Sequence, residues 1–251
     1  MVSIIRTIIA PLFASHLLFQ PLPALSSDMD MNPYSATYKA KYNGIDITST
    51  HQLVTNESGL HQETSEATSV FGKISESSTF LISDEGYLES KKYSFKRSLL
   101  GATRSEVQDF NWAAGELTYT KNSRSNKLPL DRHVFDMLTH KLQIRRDLKA
   151  GFLASSYPVM SRDKIKEYKY EIVGLEILET SIGPIKTTKI RRVVNSNKKR
   201  ETVLWLANDW EFLTVKLVHL EKGESHQLDI TAGQVGGKDI TSLKRKIEIP
   251  L

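Results

Sequence analysis

The chain has 251 residues, 39% hydrophobic and 25% charged, with a formal net charge of +5 and no cysteine. That length allows one large β domain or two small ones, and the composition is that of a folded globular chain. The lack of cysteine excludes disulfides, thiolate metal sites, a cysteine nucleophile and a lipidated cysteine anchor.

In chain order, Met1–Ser26 reads as a secretory signal peptide. Arg6 is its only charge, Thr7–Phe19 is an apolar core too short to span a membrane comfortably, and Ala24-Leu25-Ser26 is a small-x-small cleavage site. Residues 27–232 are expected to form a single exported domain, and 233–251 a loose tail.

Tyr34, Ala36, Tyr38, Ala40 and Tyr42 alternate with polar partners, which predicts a half-buried strand. Asn43-Gly44 then signals a hairpin, with Ile45–Val54 returning. Further strands are predicted over Leu60–Ser69, Phe71–Ile82, Tyr87–Arg97, Thr103–Trp112 and Glu116–Asn122. Turns at about ten-residue spacing point to one extended antiparallel sheet.

Asp131–Ala150 breaks the pattern. Val134, Phe135, Leu138 and Leu142 recur at helical spacing, Asp131 stands at the N-cap position, and Gly151 can close the C-terminus. Tyr168–Leu220 then reads as a four-stranded meander. A phase change beside Gly174 predicts a β-bulge, and Thr202–Ala207, apolar on both faces, predicts a central strand. Ser225–Thr231 is expected to add a last strand. The fold class expected is mainly β: a long, curved antiparallel sheet, a half-open barrel in outline, wrapping one main helix.

The ordered set Tyr168-x-Tyr170, Val173-Gly174-x-Glu176, Glu179-Thr180, Gly183, Thr187-x-Lys189-x-Arg191, Trp205-Leu206-Ala207-x-Asp209 and Val215-Lys216 resembles the DUF3108 family. Tyr34-x-Ala36-x-Tyr38, Gly44, Asn111-Trp112 and Asp131–Leu148 lie in matching order, so the resemblance runs from about Tyr34 to about Leu228. The family comprises bacterial envelope proteins of unknown function. With the export signal, the resemblance implies the periplasm of a Gram-negative cell. It carries no catalytic residue to transfer.

The chemistry-bearing residues are sparse. His133 and His140 would share one side of a helix spanning both, but no metal-binding pattern such as HExxH accompanies them, and neither a metal nor a cofactor is expected. Ser161-Arg162-Asp163-Lys164 matches SxxK without the elements that support a Ser–Lys nucleophile. Tyr34, Tyr38, Trp112, Leu138, Leu142 and Trp205 are candidates to line a lipid or glycan groove between sheet and helix. Arg191, Arg192, Lys198, Lys199 and Arg200 flank one hairpin tip and are candidates to contact an anionic partner, including a membrane surface. Nucleic acid is disfavoured by export and by the lack of aromatics interleaved with these cations. The expectation is a non-enzymatic binding or carrier protein. The alternative is an envelope scaffold or assembly factor that binds another protein. A hydrolase of envelope polymers would need a Ser–His or carboxylate pair that no motif nominates.

Overall fold

The computed structural model describes residues 31–42, 44–194, 200–221 and 223–241, with the Tyr42 side chain left undescribed. The expected signal peptide, Lys198 and Lys199 therefore lie outside the described residues. The elements are β1 (Tyr34–Tyr42), β2 (Ile45–Thr55), β3 (His61–Ser69), β4 (Gly72–Ile82), β5 (Leu88–Leu99), β6 (Ala102–Asn111), β7 (Glu116–Lys121), β8 (Arg124–Pro129), α1 (Thr139–Lys149), β9 (Tyr157–Ser161), β10 (Lys164–Thr180), β11 (Gly183–Val193), β12 (Arg200–Ala207), β13 (Leu213–Glu221), β14 (Glu224–Val235) and β15 (Lys238–Asp239).

All named strands join one antiparallel sheet in the order β8-β7-β6-β5-β4-β3-β2-β1-β14-β13-β12-β11-β10-β9, with β15 added beside β14. From β1, in the middle of the sheet, the chain meanders to one edge at β8. It crosses to the other edge through α1, then meanders back until β14 pairs with β1. The crossing segment bridges the two edges: Phe135 pairs in parallel with Val159 of β9, exchanging backbone bonds with Pro158 and Met160.

α1 contacts strands from both halves of the sheet. Arg145 lies over the Tyr34 ring of β1, Gln143 accepts from the Leu88 amide of β5, and Asp147 accepts from the Tyr157 hydroxyl of β9. A sheet that reaches one helix from so many strands must curve around it. The apolar core accordingly joins helix residues Leu142, Ile144 and Leu148 to Tyr34, Tyr38, Phe80, Ile190, Leu206 and Ile230. A smaller cluster of Phe110, Leu117, Tyr119, Leu130, Val134 and Met160 packs beside the crossing segment.

The expected half-open β architecture is present. The bulge beside Gly174 appears as a register shift between Ile172 and Gly174, and β12 is buried at Leu204, Trp205, Leu206 and Ala207 between β11 and β13. Gly151, at φ +87°, follows the helix, and the amides of Gly151 and Phe152 return to the Leu148 and Asp147 carbonyls.

Three expectations need correction. The helix begins at Thr139, eight residues after Asp131, because Val134 and Phe135 are spent in the extended crossing segment. His133 is therefore off the helix and shares no face with His140. The last strand continues to Val235, and Ile240 packs against Gly233, so order extends beyond residue 232.

Gly72 has a packing requirement. A Cβ there would meet the Ser98 carbonyl oxygen at 2.0 Å and Leu99 Cα at 2.9 Å. Gly72→Ala is expected to lower stability by ~2 kcal/mol or more through this backbone clash. The check is urea unfolding beside Gly174→Ala, whose Cβ meets no described atom within 4 Å and whose backbone is outside the left-handed region.

Candidate functional site

The helix is docked by two buried carboxylates. Asp136 is fully buried, and its Oδ1 accepts the amides of Leu138 and Thr139 at 2.7 and 2.9 Å. Thr139 Oγ1 accepts the Asp136 amide in return, the reciprocal geometry of a capping box. Asp136 Oδ2 accepts the hydroxyls of Ser78 at 2.5 Å and Ser90 at 2.7 Å, which ties the cap to β4 and β5. Burial pushes the Asp136 carboxyl up, against the pull of these hydrogen bonds. At the other end, Asp147 accepts from Tyr157 at 2.6 Å and Gln143 at 2.8 Å. These carboxylates are structural: their hydrogen bonds connect helix to sheet.

Between helix and sheet lies a cavity of about 50 Å³. Tyr34, Tyr38, Leu138 and Leu142, four of the six groove candidates, line it together with Glu63 and Arg145. The cavity has space for a few waters. Glu63 Oε1 accepts the Tyr34 hydroxyl while Oε2 has no hydrogen-bond partner among the described residues. Burial pushes Glu63 up to about 7, partly offset by Tyr34, Arg145 and Lys141. His51, on the same wall, is held down at about 3 by burial and the nearby Lys141 and Arg145.

The two tryptophans lie elsewhere. Trp112 stacks on His133 at 5.2 Å in the smaller cluster and donates its indole N–H to the Ser90 carbonyl. Trp205 faces away from Leu204, the cavity-lining neighbour before it on β12. Its indole N–H meets Glu176, and Lys189 and Lys216 stand over its ring at 4.8 and 5.4 Å. Strand alternation separates it from the cavity.

A much larger open space crosses β1–β6. This groove has a volume of about 870 Å³. Its rows run across the strands, among them Ala36, His51, Ser65, Glu76, Phe95 and Glu106, with serines, threonines and glutamines on the flanking rows. His51 belongs both to this groove and to the small cavity. Glu76 accepts the Tyr93 hydroxyl at 2.5 Å, and Glu106 pairs with Arg104. Sequence reading missed the groove because each residue is an ordinary strand residue; only the register aligns them.

The predicted cations separate into two groups. Arg191 pairs with Glu171 and Glu201, and Arg200 with Glu221. Arg192 has no carboxylate partner among the described residues and lies 4.1 Å over the Tyr168 ring. It faces a second pocket, of about 450 Å³, with Arg200 and His219 from the neighbouring strands and Arg162 and Lys166 from the β9–β10 hairpin. Ser161 and Lys164, the ends of the SxxK run, are paired residues flanking that hairpin turn. Among the described residues no group of three or more His, Asp or Glu is arranged to hold a metal.

A β-barrel-like protein of the DUF1849 domain from Brucella abortus aligns with 82% of this chain and 98% of its own, at 8% identity and a TM-score of 0.56. That likeness concerns fold alone. The MucA/MucB complex of Pseudomonas aeruginosa (12% identity, 84% and 54% covered, TM-score 0.36) and an outer membrane lipoprotein-sorting protein domain from Vibrio parahaemolyticus (10%, 81% and 85%, 0.22) score too low to carry an argument. No curated protein matches the chain significantly. The family described as a protein of unknown function, DUF3108, matches residues 37–231, and the chain belongs to that family.

Proposed function

We propose that this chain is an exported, non-enzymatic binding protein of the cell envelope whose ligand is a polyhydroxylated molecule, a glycan, held in the groove across β1–β6. The observation that carries this reading is the contrast in space. The helix–sheet cavity, at about 50 Å³, is too small for an acyl chain, whereas the groove, at about 870 Å³, falls in the roughly 300–1,000 Å³ range of small-ligand sites. Its hydroxyl, amide and carboxylate lining offers donors and acceptors that sugar hydroxyls can pair with. The reading of Met1–Ser26 as a signal peptide is what favours the periplasm as the compartment.

Isothermal titration with a muropeptide and with a neutral maltooligosaccharide tests it. Ser65→Trp and Thr50→Trp lie on successive rows and put an indole on each face of the sheet where the groove crosses it. At least one is expected to weaken binding tenfold or more without lowering Tm. Lack of binding by the parent protein to either class of glycan would sink the proposal.

A second reading, a scaffold that captures a protein strand, is favoured by β10. β9 covers only Lys164–Tyr168, and no described strand pairs with the outer edge of Lys169–Thr180. Leu175 and Ile177 stand 74% and 60% exposed there. Exposed apolar edge strands are templates for added strands.

A further inference from the structure

We propose that the pocket formed by the β9–β10 turn and strands β11–β13 is an anion-binding site. It would take a phosphoryl or carboxylate group, carried by an anionic lipid headgroup or by a free phosphorylated or acidic molecule. This site is separate from the groove across β1–β6 and does not depend on the glycan reading.

Four cations converge on it from three places in the sequence. Arg162 and Lys166 come from the β9–β10 hairpin, Arg192 from β11 and Arg200 from β12, around a space of about 450 Å³. The two carboxylates on its wall are already engaged: Glu167 with Arg132 at 2.8 Å, and Glu221 with Arg200. Arg162, Lys166 and Arg192 have no carboxylate partner among the described residues, and Lys166 Nζ makes a long 3.4 Å contact with Ser161 Oγ. Like charges gathered around one space repel, and an entering anion relieves that repulsion.

The geometry suits an oxyanion better than a diffuse counter-ion cloud. The Arg192 Cζ lies 4.1 Å from the centroid of Tyr168, itself 7% exposed, and this cation–π contact restrains the guanidinium. A guanidinium with no carboxylate partner has N–H groups to offer a two-oxygen acceptor. Thr202 Oγ1 and His219 Nδ1, 2.8 Å apart on the same wall, add polar groups of short reach. Arg162 adopts φ +62°, the left-handed region, in the tight turn that places it at the rim. Two of the four cations at this pocket, Arg162 and Lys166, were absent from the cluster seen in the sequence, because the hairpin brings them in.

The test is titration of the full mature chain with inorganic pyrophosphate, then with vesicles of phosphatidylglycerol and of phosphatidylcholine. Arg192→Glu is expected to weaken pyrophosphate binding tenfold or more. Arg162→Asn, chosen because Asn tolerates left-handed backbone, should weaken it several-fold with folding unchanged. Arg191→Glu is the control, since Arg191 is not part of this pocket and is already paired; it should stay within twofold of the parent. Binding to phosphatidylglycerol vesicles that is lost in Arg192→Glu assigns the lipid headgroup as the source of the anion. Pyrophosphate binding without vesicle binding assigns a free anion. Absence of pyrophosphate binding by the parent chain would overturn the proposal. So would equal weakening by Arg191→Glu and Arg192→Glu, which would mean diffuse charge rather than a site. Ser65→Trp, in the distant groove, should leave pyrophosphate binding intact, so the two proposals fail separately.

Discussion

Asp136→Ala is expected to remove roughly 3–5 kcal/mol of stability. Domains of this kind hold only about 5–15 kcal/mol in total. The carboxylate accepts four hydrogen bonds in full burial, two from the first turn of α1 and two from serines of β4 and β5. Deleting it leaves two amides and two hydroxyls competing for partners that water cannot supply. It also uncouples the helix from the sheet that surrounds it. Asp131→Ala, at the exposed position where the sequence placed the cap, should change stability by less than about 0.5 kcal/mol. Urea unfolding of both variants by circular dichroism makes the comparison. Equal, small effects would mean that helix docking rests on apolar contact alone.

Acid should destabilise this protein through His140, which is 2% exposed and packed between the Asp136 carbonyl and the Tyr170 hydroxyl. Burial holds it down at about 3, with Lys141 adding to the effect. The unfolded chain takes up a proton near the ordinary value of about 6.5, before the folded chain can. His140 therefore contributes full stability above that value and loses it as pH falls toward 3, at ~1.4 kcal/mol per pH unit. Between pH 6 and 4 the loss from this one residue is ~3 kcal/mol. Glu63 works in the opposite sense. Its folded value of about 7 lies above the unfolded value near 4.5, so its ionisation costs stability as pH rises between them. His140→Gln should flatten the stability–pH curve on the acid side, and Glu63→Gln should steepen it. Equilibrium urea unfolding at half-unit pH steps reads both slopes. An unchanged slope in His140→Gln would contradict a buried neutral imidazole.

Much of the fold was legible because strand alternation is a local signal. Tyr34–Tyr42, its hairpin return to β2 and the bulge at Gly174 need only neighbours a few residues away. β8 escaped because Arg124–Pro129 is polar or exposed at nearly every position, as suits a sheet edge. The helix start was misplaced because Val134, Leu138 and Leu142 keep helical spacing across a segment that the edge of β9 recruits into extended pairing. The Asp136–Thr139 reciprocal cap was visible in the sequence as an acid three residues before a threonine, but the exposed Asp131 drew the assignment. The candidate sites were less legible. Tyr34, Tyr38, Leu138 and Leu142 do meet, yet nothing local reveals that they close on about 50 Å³. Trp205 has the residue type of a groove lining, but its parity on β12 turns it toward Lys189 and Lys216. Arg162 and Lys166 join Arg192 only through the pairing of β10 with both β9 and β11.

The most direct measurement is native mass spectrometry of the natively expressed chain, followed by extraction of whatever leaves with it. Binding in the polar groove predicts a hydrophilic glycan mass on the parent protein that is missing from Ser65→Trp or Thr50→Trp and retained in Leu138→Gln. A long-chain lipid bound to the parent protein and lost in Leu138→Gln would contradict it, because the helix–sheet interface would then open far beyond the space it has here.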